Sequence, residues 1–336
     1  MKEQPEEING IQVVQKIKYL GIDIDNKRNY FKTQKETIIQ KARKMANITY
    51  SIIEKSCNKL LIGKTFWKSI VLPSILYGIN IINISEETIK ELQRIENSVY
   101  RSILGAAHYA PNVTLRGEIG ASLMKRRVIS GRMNYIIGLN HGRNQLLETT
   151  LLTMEMEKNT KWIKTTLKYL NEVGMTFGDL RQKSKKEIKQ QLIQWDKEQW
   201  KKEMESKTSL QLYRIFKTEI REEDIYDNRP ASTTLYKART NTLQINDRNR
   251  HINKETSCMI CGDINKKEDI YHFVLHCTGY IDERRKIREL QQPYLENEEN
   301  ILGSFLFDRR NIERKKEQLH QMWKRRQYYM KILTRQ

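Results

Sequence analysis

Three observations in the sequence predict a mostly α-helical fold, opened by a short β-hairpin and carrying a small Cys/His module towards its C-terminal end. Only 5 prolines and 15 glycines are spread over 336 residues, and charged residues make up 30%, a pattern that suits long charged helices better than a β-sandwich. Apolar residues recur at helical spacing along most of the chain, with one strand-like exception near the N-terminus. Three of the 4 cysteines and two of the 6 histidines fall within "CMICGDINKKEDIYHFVLHC", residues 258–277.

The strand-like stretch is "IQVVQKIKYLGIDID", residues 11–25. Ile17, Tyr19, Ile22 and Ile24 alternate around Leu20 and Gly21, which predicts two short strands. An isolated hairpin is marginal in water, so another element must cover it. From Thr33 the period changes. Ile38, Ala42, Met45, Thr49 and Ile52 make a helical stripe opposite lysines and arginines. A second helix is expected over 60–76, kinked near Pro73. The third has Ser85 at a cap position, Glu86 and Glu87 in the first turn, and a stripe of Ile89, Leu92, Ile95, Val99 and Ile103. Gly105 supplies its C-terminal stop. Further on, "NTKWIKTTLKYLNEVG" and "KEIKQQLIQWDKEQWKKEM" read as amphipathic helices, with Trp162, Trp195 and Trp200 expected in or beside the core. Cys57 is expected to be a small core residue.

Lysine and arginine number 61 against 41 acidic residues, a net charge of +20. Such an excess points to a polyanionic partner, RNA or DNA, because each neutralised phosphate releases condensed counterions. A membrane partner is not expected, since no basic juxtamembrane arrangement is visible. The N-terminal "MKEQPEEING" has no apolar signal region. The longest apolar run, residues 70–84, is broken by Pro73, Gly78, Asn80 and Asn83 and is short for a bilayer. An intracellular protein, cytoplasmic or nuclear and not secreted, is expected. Cysteines are reduced there, so a cluster favours metal over disulfide. Candidate phosphate contacts are Arg239, Arg248 and Arg250 in the basic stretch 235–250, and Lys324, Arg325 and Arg326 among aromatics in the last segment.

Cys258-x2-Cys261-Gly262 has the spacing of two thiolates on one tetrahedral ion, and Gly262 eases the tight turn that this needs. His272, His276 and Cys277 are candidates to close the site. His272 and His276 share a helix face. His272 and Cys277, five apart, converge only if the helix loosens at its end. Thiolate binds zinc more tightly, which favours Cys258, Cys261, His272 and Cys277, with His276 as the substitute. Four close ligands leave no open position, so the expected role of Zn2+ is structural.

In order along the chain, "IKYLGIDI", "LPSILYGINI…LQRIENSVYRSILG…LRGEIG" and "CMICG…YHFVLHC" resemble the end of the polymerase domain, the thumb region and the CCHC region of non-LTR (LINE-type) retrotransposon reverse transcriptases. The resemblance implies a palm remnant with a primer-grip hairpin over 1–32, containing Tyr19, Leu20 and Gly21. It further implies that Thr33 to about Gly105 forms the thumb and that Cys258, Cys261, His272 and Cys277 match the family's zinc pattern. The expected division continues with a helical thumb-like domain over 33–150, a helical connector over 151–234, a zinc module over 235–290 and a basic C-terminal helix over 291–336. That family polymerises DNA with palm carboxylates in a paired Asp-Asp, and no such dipeptide occurs here. Asp23 and Asp25 read as hairpin acids in solvent. A truncated reverse-transcriptase-like protein without autonomous polymerase activity is expected, needing Mg2+ only if a separate palm complements it. The alternatives are a part acting in trans with such a palm, or a zinc-stabilised interaction module with no nucleic-acid role.

Overall fold

The computed structural model describes residues 7–26, 30–140, 145–246, 256–263, 265–287 and 297–333. Two short antiparallel hairpins come first: β1 (Glu7–Ile8) with β2 (Ile11–Gln12), and β3 (Lys16–Tyr19) with β4 (Ile22–Asp25). Helices follow: α1 (Lys32–Lys55), α2 (Lys59–Phe66), α3 (Leu72–Ile75), α4 (Glu86–Leu104), α5 (Asn112–Ile119), α6 (Met124–Asn140), α7 (Gln145–Glu157), α8 (Lys161–Glu172), α9 (Phe177–Gln182), α10 (Lys185–Glu205), α11 (Gln211–Phe216), α12 (Pro230–Arg239), α13 (Ile281–Arg285), α14 (Glu298–Phe307) and α15 (Ile312–Leu333). The mostly helical fold with a small N-terminal sheet matches the expectation. Two compact units are assembled from interleaved segments, residues 1–51, 65–96 and 122–196 in one and 52–64, 97–121 and 197–336 in the other. Among the described residues no helix is long and apolar enough to cross a membrane.

In the first unit, both hairpins turn through two residues of positive φ, Asn9–Gly10 and Leu20–Gly21. That is the backbone of the tight turns whose twist suits paired strands. The register Ile17↔Ile24 and Tyr19↔Ile22 puts these four side chains on one face of the second hairpin, and Lys16, Lys18, Asp23 and Asp25 on the other. The polar face is the one tied to α1. Asp25 accepts hydrogen bonds from the Thr33 backbone N–H (2.9 Å) and hydroxyl at the start of α1. Asp23 is buried, its N–H donates to Gln34 Oε1 and its carboxylate receives Thr37. These two acids are therefore structural anchors rather than solvated turn residues: a carboxylate beside the first turn satisfies free N–H groups and complements the helix dipole. Ile17 and Tyr19 stay 54% and 64% exposed.

The expected second helix is α2, a π-helical turn over Trp67–Val71, and α3. The widened turn, closed by Leu72 N–H to Trp67 O, immediately precedes Pro73, which has no N–H to continue the ordinary ladder. The third helix holds as expected. Ser85 Oγ accepts the Thr88 N–H at 3.2 Å. Ile89, Leu92, Ile95, Val99 and Ile103 are all buried. Gly105 adopts φ +61, with Ala106 N–H bonded to Arg101 O at 2.9 Å. Cys57 departs from expectation: it is exposed, because it sits in the short turn between α1 and α2 and not on a helix face.

Trp200 is buried and donates its indole N–H to Val113 O at 2.8 Å, within a cluster including Met204, Leu210 and Tyr213. Trp195 is half-buried. So is Trp162, whose N–H is held by Asn80 O at 3.0 Å.

Candidate metal centre

The segment around Cys258 folds back on itself. Cys258 N–H donates to Lys266 O at 3.0 Å and Glu268 N–H to Thr256 O at 2.8 Å, with Ser257 and Lys267 bridged between them. Gly262, at φ +70, makes the reversal after Cys261. The closing residues sit on a π-helical turn over His272–His276, and Cys277 N–H reaches His272 O, five residues back, at 2.7 Å. The helix loosens where convergence of His272 and Cys277 required it. His276 faces elsewhere: it is exposed and its Nε2 lies 3.1 Å from Glu298 Oε1.

Ligand atoms of Cys258, Cys261, His272 and Cys277 all lie within 4.8 Å of one another, and the four side chains can hold a metal ion. Cys258 and Cys277 sulfurs are 3.7 Å apart, and Cys261 Sγ is 3.5 Å from His272 Nε2. A tetrahedral ion with bonds of about 2.3 Å to sulfur and about 2.0 Å to nitrogen has edges of roughly 3.8 Å between sulfurs and roughly 3.5 Å from sulfur to nitrogen. The hydrogen bond from Cys277 holds the Cys258 thiol far below its ordinary range, helped by His272 and by the backbone N–H groups of Cys261 and Ile260. Cys277 is driven upwards by the Cys258 sulfur and by burial. A cation bound between the two sulfurs would displace their protons. Gly279 permits the close approach of Ile260, with which any added Cβ would collide.

A buried clamp supports this loop. The Arg326 guanidinium on α15 makes two 2.6 Å hydrogen bonds to Glu268. Asn246 donates its N–H to Glu268 at 2.9 Å and its side-chain amide to Ser257 O at 2.8 Å. Phe273 packs edge-on against Tyr280 and Trp323 at 5.1 and 6.2 Å. The sequence carries no local signal for the clamp, because Glu268 and Arg326 meet only through tertiary folding.

The candidate phosphate contacts separate into three groups. Arg239 and Arg326 are buried ion-pair partners, Arg239 bonded to Glu118 (3.1 Å) and Leu306 O (2.7 Å), so neither presents a guanidinium to a phosphate. Their helices turn that face inwards, where the charges are matched by carboxylates and carbonyls. Arg325 is half-buried, its Nη1 donating to both carboxylate oxygens of Glu283 at 2.9 and 3.0 Å, while Lys324 is exposed. Arg248 and Arg250 lie outside the described residues. Lys315 and Lys316, in the same basic segment, are also buried, donating to backbone carbonyls of Ser304 and Ile225. Exposed cations that the sequence reading did not single out line α1 (Lys32, Lys41, Arg43, Lys44) and α10 (Lys185, Lys186, Lys189, Lys201, Lys202). Helical spacing opposite the apolar stripes is the signal that finds them.

Tyr19, Leu20 and Gly21 form the tip of the second hairpin, where Leu20 O accepts the Tyr77 hydroxyl at 2.9 Å. Comparison of the chain with family models, with curated proteins and with solved structures finds no match in any of the three.

Proposed function

We propose that this chain is a zinc-stabilised nucleic-acid-binding protein, corresponding to the thumb and CCHC part of a LINE-type reverse transcriptase. The observation that carries the zinc reading is the donor set: three cysteine sulfurs and one imidazole, most of them buried and all within 4.8 Å of one another, with the Cys258–Cys277 and Cys261–His272 separations of 3.7 and 3.5 Å close to tetrahedral edges. Soft sulfur donors in that geometry select zinc over the harder divalent cations. All four positions are protein ligands and none is left for water or substrate, so the ion's role is structural. The family reading rests on the ordered sequence blocks, and the binding reading on the charge of +20. Backbone contact, rather than base readout, fits lysines dispersed along helices.

The test is affinity for single-stranded RNA and for duplex DNA across a salt series. Each neutralised phosphate contributes a slope of about −0.7 for single strands or about −0.9 for duplex in log K against log salt. A steep negative slope with either polymer supports the reading, and undetectable binding at low salt refutes it. With no Asp-Asp pair in the sequence, the same preparation is expected to extend no primer.

One observation favours a second reading, action in trans with a separate palm. The second hairpin turns its polar face to α1 and leaves Ile17 and Tyr19 of its apolar face exposed, while Ile22 and Ile24 are half-buried. An exposed apolar face of that kind marks a docking surface. Co-expression with an upstream palm fragment tests it: a stable complex lost on Tyr19→Asp is expected, and failure to co-purify rejects it.

A further inference from the structure

A surface unconnected with metal or nucleic acid surrounds α7 in the first unit. A pocket of about 360 Å³ is walled by Phe31, Ile81, Tyr135, Leu151 and Trp162, with Glu155 the one charged residue among the described residues of its lining. Its aromatic wall is fixed in advance. The Trp162 indole N–H is held by Asn80 O, the Arg132 guanidinium lies 4.9 Å from the ring centroid, and Tyr135 meets the ring edge-on at 6.3 Å. Alongside runs an apolar stripe on α7: Leu147, Leu151 and Met154 stand at i, i+4 and i+7 and are 60%, 51% and 42% exposed. Three such residues on one side of a helix, continuous with a pocket, make a surface for another helix.

Charge identifies the partner. Gln145–Glu157 carries Glu148, Glu155 and Glu157 with no lysine or arginine, in a chain of net charge +20. In the sequence the flanking cations are Arg143 before it and Lys158 and Lys161 after it. The carboxylates of Glu155, in the pocket lining, and of exposed Glu157 repel anionic lipid and polyanions, and a second copy of α7 would set glutamate against glutamate. We propose that this face receives a basic amphipathic helix of a partner protein, with apolar anchors at i, i+4 and i+7, one of them filling the pocket. The volume lies at the small end of the ligand range, about 300–1,000 Å³, and suits a large side-chain anchor. The proposal is independent of the zinc and nucleic-acid readings.

The probe is a labelled synthetic helix with leucines at i, i+4, i+7 and i+11 and lysines on the other side, followed by fluorescence anisotropy on the full chain. Its controls are an isomer with the leucines scrambled and a version with glutamate in place of lysine. Saturable binding is expected for the patterned lysine helix. The glutamate version and the Leu151→Asp and Met154→Asp proteins should each bind about tenfold more weakly or worse. Both substituted residues are exposed, so circular dichroism and metal content should match wild type. Equal binding of the scrambled isomer, or unchanged binding to Leu151→Asp, overturns the proposal. So does self-association, or binding to anionic vesicles, that Leu151→Asp abolishes, because the occupant is then a second copy or a lipid surface.

Discussion

His276 and Cys277 are neighbours with opposite environments, one exposed beside Glu298, the other buried 3.7 Å from the Cys258 sulfur. Thiolate chemistry pointed to Cys277 in the sequence, but the geometry that makes it reachable, a π-helical turn, leaves no trace in composition. Cys277→Ser is expected to lose the metal or to bind it far more weakly, with His276→Ala retaining about one ion per chain, measured by metal analysis after gel filtration; the reverse pattern would move the fourth ligand. Cations were legible in number and illegible in direction. Arg326 reads as part of a basic patch and is a buried partner of Glu268. Removing it leaves that carboxylate buried and unpaired, and Arg326→Ala should cost about 3–5 kcal/mol in urea unfolding. In Glu268→Gln/Arg326→Met much of the loss should return, since the uncompensated charge has gone. A cost below about 1 kcal/mol for Arg326→Ala would show that the clamp is not formed.

Elements with their own caps and stripes were the readable ones. Ser85, the two glutamates, the five-residue stripe and Gly105 specify α4 locally, and the structure follows them. Gly105→Ala should destabilise by about 1–2 kcal/mol, because a Cβ is unfavourable at φ +61 and would also collide with Thr233. The first hairpin had a usable sign too, the Asn9-Gly10 dipeptide, which the sequence reading passed over. What the sequence does not reveal is which face an element turns to its neighbours. Alternation alone assigns the apolar side of the second hairpin to a core, yet Asp23 and Asp25 anchor the other side to α1.

Packing between α12 and α15 also has a pH signature. His320 Nδ1 lies 2.8 Å from Thr234 Oγ1, and desolvation, with Lys324 nearby, lowers its pKa below the ordinary 6.5. Below pH 6.5 the unfolded chain takes up a proton that the folded imidazole resists, so stability falls as pH falls through that range. Unfolding midpoints between pH 7.5 and 5.5 should drop less in His320→Gln than in wild type; identical slopes would remove His320 as a source.

For the whole molecule, fold class and the ligand cluster were legible, whereas the two interleaved units were not. Stripes show that a helix has a buried side without naming what buries it, so segments far apart in sequence join one unit unannounced. Net charge likewise anticipates a partner class and says nothing of where the cations stand; α1 and α10 carry many of those in solvent. Neutralising Lys185, Lys186 and Lys189 together should reduce the salt slope of RNA binding if that face meets phosphate, each lost contact removing about 0.7 from it. The central claim is that four named side chains hold one structural zinc. X-ray absorption at the zinc edge of the purified chain tests it most directly. The expected spectrum has three sulfur neighbours at about 2.3 Å and one nitrogen at about 2.0 Å, at one ion per chain. Two sulfurs with two nitrogens, an oxygen in the coordination shell, or protein that takes up no zinc would contradict the account.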